Sequence, residues 1–364
     1  MQDQLPTQLY TTIDRFVLES GGSDQRNRGL TVKGQLNTQR TNAVVICHAL
    51  SSSADVKDWW SLLLSRPKNP VLDPDRFCIM CCNSLGTPCG SSSPLSVRPG
   101  TASYYGHPFP KTTIRNDVRS IYCVTGGSLG GMMALEWALL SKHFVRSMSQ
   151  LATIKPDSKF RGGRYGGDPP RDGLAAARMA AMISYRTHSS FEKRFGRRRL
   201  ETCTTPNRML SKVSGTRNGT RAPFAVDVQR AERDDGHYDN SGIFLAQSYL
   251  RYQGEKFNAR FDANCYLHIL DKIDSHDIAR VRYPSLSDDE AILKVLSQIR
   301  KPTLIVGVPT DGLYPPSEQI FLSQGLKNAT FATLQSDGGH DAFLIQDEQL
   351  NELLRSFFGS DPDL

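Results

Sequence analysis

Thr125-Gly126-Gly127-Ser128-Leu129-Gly130-Gly131-Met132 is the stretch on which the fold turns. It follows an apolar run, Ile121-Tyr122-Cys123-Val124-Thr125, and leads into a helical pattern from Met132 to Leu140. The spacing G-x-S-x-G between a strand and a helix is that of a nucleophile elbow. A serine in that position occupies a sharp, strained turn, and side chains in place of the flanking glycines would clash with neighbouring backbone. The amide of Leu129, at the helix start, points towards the oxyanion that develops when Ser128 attacks a carbonyl. A phosphate-binding loop is the competing reading, but the stretch has neither the P-loop lysine nor a complete G-x-G-x-x-G.

Working outward, Ala43-Val44-Val45-Ile46-Cys47, Phe77-Cys78-Ile79-Met80-Cys81-Cys82 and Thr303-Leu304-Ile305-Val306-Gly307-Val308 read as buried strands. Each is short, continuously apolar and followed by turn chemistry, the pattern of strands covered on both faces. Helical stretches alternate with them, notably Leu174 to Tyr185. The alternation predicts an α/β protein, a mostly parallel sheet with helices on both faces. Residues 155–300 interrupt it, Gly/Pro-rich from Arg161 to Pro170, then helical, polar from Glu201 to Asn240, then helical again. The expected organisation is a first core part over 1–154, a helical lid insertion over 155–300 and a second core part over 301–364. A lid there would cover the carboxyl ends of the strands, where active groups collect in open sheets.

A serine hydroxyl needs a base, and on the elbow-bearing α/β-hydrolase fold the partners follow in the chain order Ser, Asp or Glu, His. Asp311, in Pro309-Thr310-Asp311-Gly312-Leu313, and His340, in Asp337-Gly338-Gly339-His340-Asp341, both follow apolar strands in that order. Of the eight histidines, His340 alone combines a place after Asp311, a post-strand loop and flanking glycines. Asp337 and Asp341 are competing acids, too close to His340 in sequence to orient it well. The second oxyanion donor should come from the loop after an early strand, and the amide of Leu50 in His48-Ala49-Leu50-Ser51 is the candidate. His48 itself reads as a structural hydrogen-bonding residue.

With 364 residues, 38% of them hydrophobic, the chain can bury a large core, which excludes a disulfide-stapled scaffold. Its eight cysteines lie mostly in apolar runs, and the first residues carry no targeting pattern, so a cytoplasmic protein with reduced thiols is expected. Cys78 and Cys81 form a C-x-x-C, but residues three apart on a strand face opposite ways and do not share a metal ion. No apolar run is long enough to span a membrane. The net charge of +7 suits an anionic partner, and the densest basic run, Lys193 to Arg199, reads as a solvated helix face rather than a nucleic-acid patch.

His48-Ala49-Leu50, Asn83 to Ser91, Gly126 to Met132 with Glu136-Trp137-Ala138, Gly173 to Arg178, Ser248 to Tyr266, Asp311-Gly312-Leu313-Tyr314 and Gly339-His340-Asp341 together resemble the homoserine O-acetyltransferase family. The likeness is strongest to its fungal branch, which includes serine O-acetyltransferase and deacetylcephalosporin C acetyltransferase relatives. It implies a ping-pong transfer in which Ser128, activated by His340 and Asp311, takes an acetyl group from acetyl-CoA and yields it to an amino-acid hydroxyl. L-homoserine, in methionine biosynthesis, is the foremost implied acceptor, with serine or a secondary-metabolite alcohol of the deacetylcephalosporin C kind as the alternatives. By the same resemblance Arg178 clamps the acceptor's carboxylate, Tyr185 lines its pocket and Asp341 takes its ammonium group. It implies no metal and no bound cofactor, acetyl-CoA as co-substrate, and a homodimer as a family expectation.

Against the family pattern, a helix and loop before the elbow strand are missing, as is part of the segment after Thr153. The strands near Ser20 to Gly34 look short as well. These departures imply a missing crossover before Ser128, and with it reduced activity. They keep two other readings open: a serine hydrolase with water as acceptor, and an inactive truncated paralogue.

Overall fold

In the computed structural model, which describes residues 8–19, 21, 23–39, 42–65, 70–118, 124–126, 128–138, 152–199, 244–280 and 282–359, the chain begins with a hairpin of β1 (Leu9–Val17) and β2 (Ser23–Lys33). It continues through β3 (Ala43–Cys47), α1 (Val56–Leu64), β4 (Cys78–Cys82), α2 (Ile114–Val118), β5 (Val124–Gly126) and α3 (Leu129–Ala138). A helical section comprises α4 (Arg171–Tyr185), α5 (His188–Phe195), α6 (Leu245–Arg260), α7 (Ala263–Asp274) and α8 (Asp288–Leu296). The chain then returns to β6 (Thr303–Gly307), α9 (Pro316–Gly325), β7 (Ala329–Thr333), α10 (Ala342–Ile345) and α11 (Asp347–Gly359).

The main sheet has the order β1-β2-β4-β3-β5, antiparallel across the first two pairings and parallel in β4-β3-β5, while β6 and β7 pair in parallel. The unbroken apolar run of β3 follows from burial on both faces. Val44 and Ile46 pack with Trp60 and Leu63 of α1 and with Leu350 and Leu354 of α11, a core that Val308 and Leu334 of the β6-β7 region also enter. Cys47 packs with Ile114, Leu129, Met132 and Ile269, from α2, α3 and α7. The sequence expectation of helices on both sheet faces therefore holds. Among the described residues no helix is long and apolar enough to cross a membrane.

Two expectations need correction. The N-terminal strands are not short, at nine residues for β1 and 11 for β2. Nor is the crossover into β5 missing. Residues 83–123 join β4 to β5, far more than the dozen or so that a parallel connection needs. The only helix described in this crossover is the five-residue α2. β5 still aligns with β3, Val45 opposite Val124 and Cys47 opposite Gly126. Ile121 to Cys123 of the expected elbow strand, Leu139 and Leu140 of the expected helix, and the polar stretch Glu201 to Asn240 lie outside the described residues.

Candidate active site

β5 delivers the chain to Ser128, whose φ of 60° places a non-glycine residue in the left-handed region. For a residue with a Cβ this is a strained conformation that the surroundings must impose. They do so on both sides, by the pairing of Gly126 with Cys47 and by the first turn of α3, where the Met132 amide donates to the Ser128 carbonyl at 3.0 Å. Gly130 shows why a glycine follows two residues on. A Cβ there would lie 2.0 Å from the carbonyl oxygen of Cys47, so the approach of α3 to β3 admits no side chain. The predicted elbow is present in both its strain and its close packing.

His340 and Asp311 come together as expected. His340 Nδ1 lies 2.8 Å from Asp311 Oδ2, with both side chains buried. The other carboxylate oxygen, Oδ1, accepts from the amides of Leu313 at 2.8 Å and Tyr314 at 2.9 Å, which fixes the carboxylate's orientation. The competing acids are engaged elsewhere: Asp337 pairs with Lys193 at the surface and Asp341 with Arg186 at 2.8 Å. The imidazole of His340 stands between Tyr314 and Phe343, with ring centroids 5.2 and 5.7 Å away. Its Nε2 is buried and has no hydrogen-bond partner among the described residues, Ser128 included.

Leu129, next to Ser128, packs in a cluster that Leu50 and Tyr314 border. The elbow, the loop after β3 and the Asp311 loop thus converge on one place, and Tyr314 of that loop lies against the His340 ring. As the first residue of α3, Leu129 has an amide without an intrahelical acceptor, as at any helix start. Leu50 sits in a turn closed by the Ser52 amide on the Ala49 carbonyl at 3.0 Å. His48 is structural, as its sequence position suggests. Fully buried, its Nδ1 donates to Ala49 O at 2.8 Å and its Nε2 accepts from the Ser84 amide at 3.0 Å. Burial holds its pKa below the ordinary 6.5.

The three residues expected at the acceptor also form one group. Half-buried Arg178 places its guanidinium 5.7 Å from the Tyr185 ring centroid and 5.3 Å from that of Phe257, and has no ion pair or hydrogen bond among the described residues. Burial pushes the Tyr185 phenol up, with Arg178 opposing the shift and Asp341 adding to it. Both contacts from Arg186 to Asp341 fall on Oδ2. Gly339, at φ 67°, seats the His340 loop against the end of α4, where a Cβ would meet the Tyr185 carbonyl at 2.7 Å.

An α/β-hydrolase-fold family model matches residues 42–347. The chain is 40% identical to homoserine O-acetyltransferase FUB5 of Gibberella fujikuroi, over 98% of this chain and 88% of that protein. It is 38% identical to homoserine O-acetyltransferase of Saccharomyces cerevisiae, over 96% of this chain and 86% of that protein. The chain belongs to the homoserine O-acetyltransferase family. A solved homoserine O-acetyltransferase from Bacillus anthracis shares the fold at a TM-score of 0.74, with 20% identity and 96% of each chain covered. The esterase E22 shares it at 0.71, with 21% identity over 96% of this chain and 99% of that one. The alignment with the yeast relative is 433 positions long, more than a 364-residue chain can fill, so that homoserine O-acetyltransferase carries segments this one lacks.

Several residues that shape the site in this member of the homoserine O-acetyltransferase family escape sequence reasoning. The Thr310 hydroxyl donates to Ser336 O at 2.6 Å and accepts from the Gly339 amide at 3.3 Å, tying the Asp311 loop to the His340 loop. Thr310 adjoins Asp311, a signal that could have found it. Asp117 and Lys272, both buried and 2.7 Å apart, clamp the backbone of Leu85. The Leu85 amide donates to Asp117 Oδ1 at 2.8 Å and its carbonyl accepts from Lys272 at 2.6 Å. These two lie 155 residues apart and have no local signature.

Proposed function

We propose that the chain transfers an acetyl group from acetyl-CoA to the hydroxyl of L-homoserine through an acetyl ester on Ser128. His340 Nε2 takes the Ser128 proton as its oxygen attacks the thioester carbonyl. The amides of Leu50 and Leu129 receive the oxyanion. Collapse of the tetrahedral intermediate breaks the carbon–sulfur bond, and the proton held by His340 passes to the departing thiolate. In the second half the homoserine hydroxyl gives its proton to His340 and attacks the acetyl ester. The tetrahedral intermediate collapses with return of the proton to Ser128. Asp311 holds the imidazole in the tautomer that leaves Nε2 as an acceptor, and stabilises the imidazolium.

The observation that carries an amino-acid acceptor, rather than water, is the grouping of Arg178, Tyr185 and Asp341 against the His340 loop. A guanidinium without a carboxylate of its own matches the acceptor's carboxylate bidentately. Asp341 Oδ1, the oxygen away from Arg186, takes the ammonium group.

The test is intact-mass spectrometry after mixing with acetyl-CoA, then homoserine. An acetyl adduct in the wild type, absent in Ser128→Ala and discharged to O-acetylhomoserine, supports the proposal. Thiol release that is indifferent to homoserine supports a hydrolase instead.

A further inference from the structure

The peptide unit joining Ala49 to Leu50 is held at its carbonyl end by two donors. His48 Nδ1 lies 2.8 Å from Ala49 O, and the Ser52 amide donates to the same oxygen at 3.0 Å. In a trans peptide the carbonyl and the N–H point in opposite directions. Fixing the Ala49 oxygen therefore fixes the direction of the Leu50 N–H. Donors on a carbonyl also polarise the peptide and strengthen the hydrogen bond its N–H can give.

The imidazole is suited to this task because its tautomer is determined from the far side. The Ser84 amide donates to Nε2 at 3.0 Å, so that nitrogen carries the lone pair and the proton resides on Nδ1. Ser84 is in turn immobilised by its neighbour, since Asp117 and Lys272 hold both backbone groups of Leu85. The ring is 0% exposed, so water does not compete for either nitrogen.

We propose that His48 is a positioning residue of the oxyanion hole, locked by Ser84 as the Nδ1–H tautomer so that its bond to Ala49 O aims and polarises the Leu50 amide. The inference rests on the reading of Leu50 as an oxyanion donor. It assigns a role in transition-state stabilisation to a side chain that touches neither substrate.

Two substitutions separate the ring's two hydrogen bonds. His48→Asn places an amide nitrogen near the Nδ1 position, able to donate to Ala49 O. His48→Gln places its polar group near the Nε2 position, able to meet Ser84 but not Ala49. The measured quantity is the single-turnover rate of acetyl-enzyme formation from acetyl-CoA, per Ser128 titrated to completion with a fluorophosphonate. His48→Gln is expected to lose roughly tenfold or more, part of the 10²–10³ that a whole oxyanion donor contributes, with the half-saturating acetyl-CoA concentration unchanged. His48→Asn is expected to stay within about threefold of wild type, on the same reasoning.

Equal rates per titrated serine in His48→Gln and wild type would overturn the proposal, as would equal losses in the two variants. Should the variants not fold, ring 15N chemical shifts of the wild type decide, because an Nε2–H tautomer at His48 is incompatible with the proposed bond. A wild type that forms no acetyl adduct would instead overturn the reading of Ser128, which the mass measurement detects separately.

Discussion

His340 Nδ1 stands 2.8 Å from Asp311 Oδ2, while the other oxygen of that carboxylate accepts two backbone amides. The arrangement makes Asp311→Asn informative. The asparagine oxygen must face the amides of Leu313 and Tyr314, so its NH₂ group is turned towards His340 Nδ1. The imidazole must then accept at Nδ1 and carry its proton on Nε2, where it cannot take one from Ser128. The rate of acetyl-enzyme formation is expected to fall by about four orders of magnitude. Stability should change by less than about 1 kcal/mol, since every backbone contact keeps a partner. Stopped-flow acetylation and urea melts check the two statements, and a loss under tenfold would remove Asp311 from the mechanism.

Arg178 separates the half-reactions. Its guanidinium rests over Tyr185 and Phe257 with no acidic partner among the described residues, and its proposed ligand is the acceptor alone. Arg178→Gln is expected to raise the KM for homoserine by roughly 10- to 100-fold, the loss of a charge-assisted pair of about 1.5–3 kcal/mol. The acetylation rate from acetyl-CoA should remain within about twofold of wild type, because uniform binding of the second substrate is all that is removed. An equal loss in acetylation would place Arg178 on the donor side instead.

The parts of this fold that are legible in the sequence are those whose burial leaves an uninterrupted mark. β3 is covered by helices on both faces, and β6 packs against α11 on one side and α8 and α9 on the other, so both read as continuous apolar runs, and Ser128 follows such a run with the glycine that Cys47 demands. β2 is the counter-example. Its inward positions include Arg26 and Arg28, 2% and 3% exposed, so the alternation that marks a half-buried strand is carried by charged residues and looks like surface. Arg28 is accommodated by the carbonyls of Asn83 and Asp117 at 3.1 and 2.7 Å, partners that only the folded chain supplies. The pairing of Asp341 with Arg186 is hidden for the same reason, since each residue reads locally as an ordinary polar position.

His268 ties stability to pH. Burial, followed by the charges of Lys272 and Lys111, lowers its pKa from 6.5 to about 3, and its Nε2 lies 2.7 Å from the Thr112 hydroxyl. Between those two pH values the unfolded chain binds a proton that the folded chain refuses. The stability associated with this ring is therefore complete above pH 6.5 and is lost as pH falls towards 3, a change on the order of a few kcal/mol. His268→Gln, which keeps a polar group near Thr112, is expected to flatten the stability profile over that window. Urea melts at half-unit pH steps check it, and parallel profiles for wild type and variant would assign the acid sensitivity to other groups.

The buried cluster of Arg28, Asp117 and Lys272 contains one carboxylate for two cations, with Lys272 at 2.7 Å and Arg28 at 3.5 Å from Asp117. Burial lowers the Lys272 pKa and Asp117 opposes that shift, so the carboxylate favours the charged ammonium. Asp117→Ala would leave both cations buried without a counter-charge, at a cost of about 3–5 kcal/mol. Removing the lysine's charge as well, in Asp117→Ala/Lys272→Met, should recover part of that loss, because the penalty lies in the uncompensated charge and not in the missing bond. The same substitutions release Leu85 and, through Ser84, the nitrogen of His48 that faces it. In the double variant acetylation should therefore stay slow although stability partly returns. A double variant with wild-type acetylation would mean that the loop after β4 holds its position without this clamp.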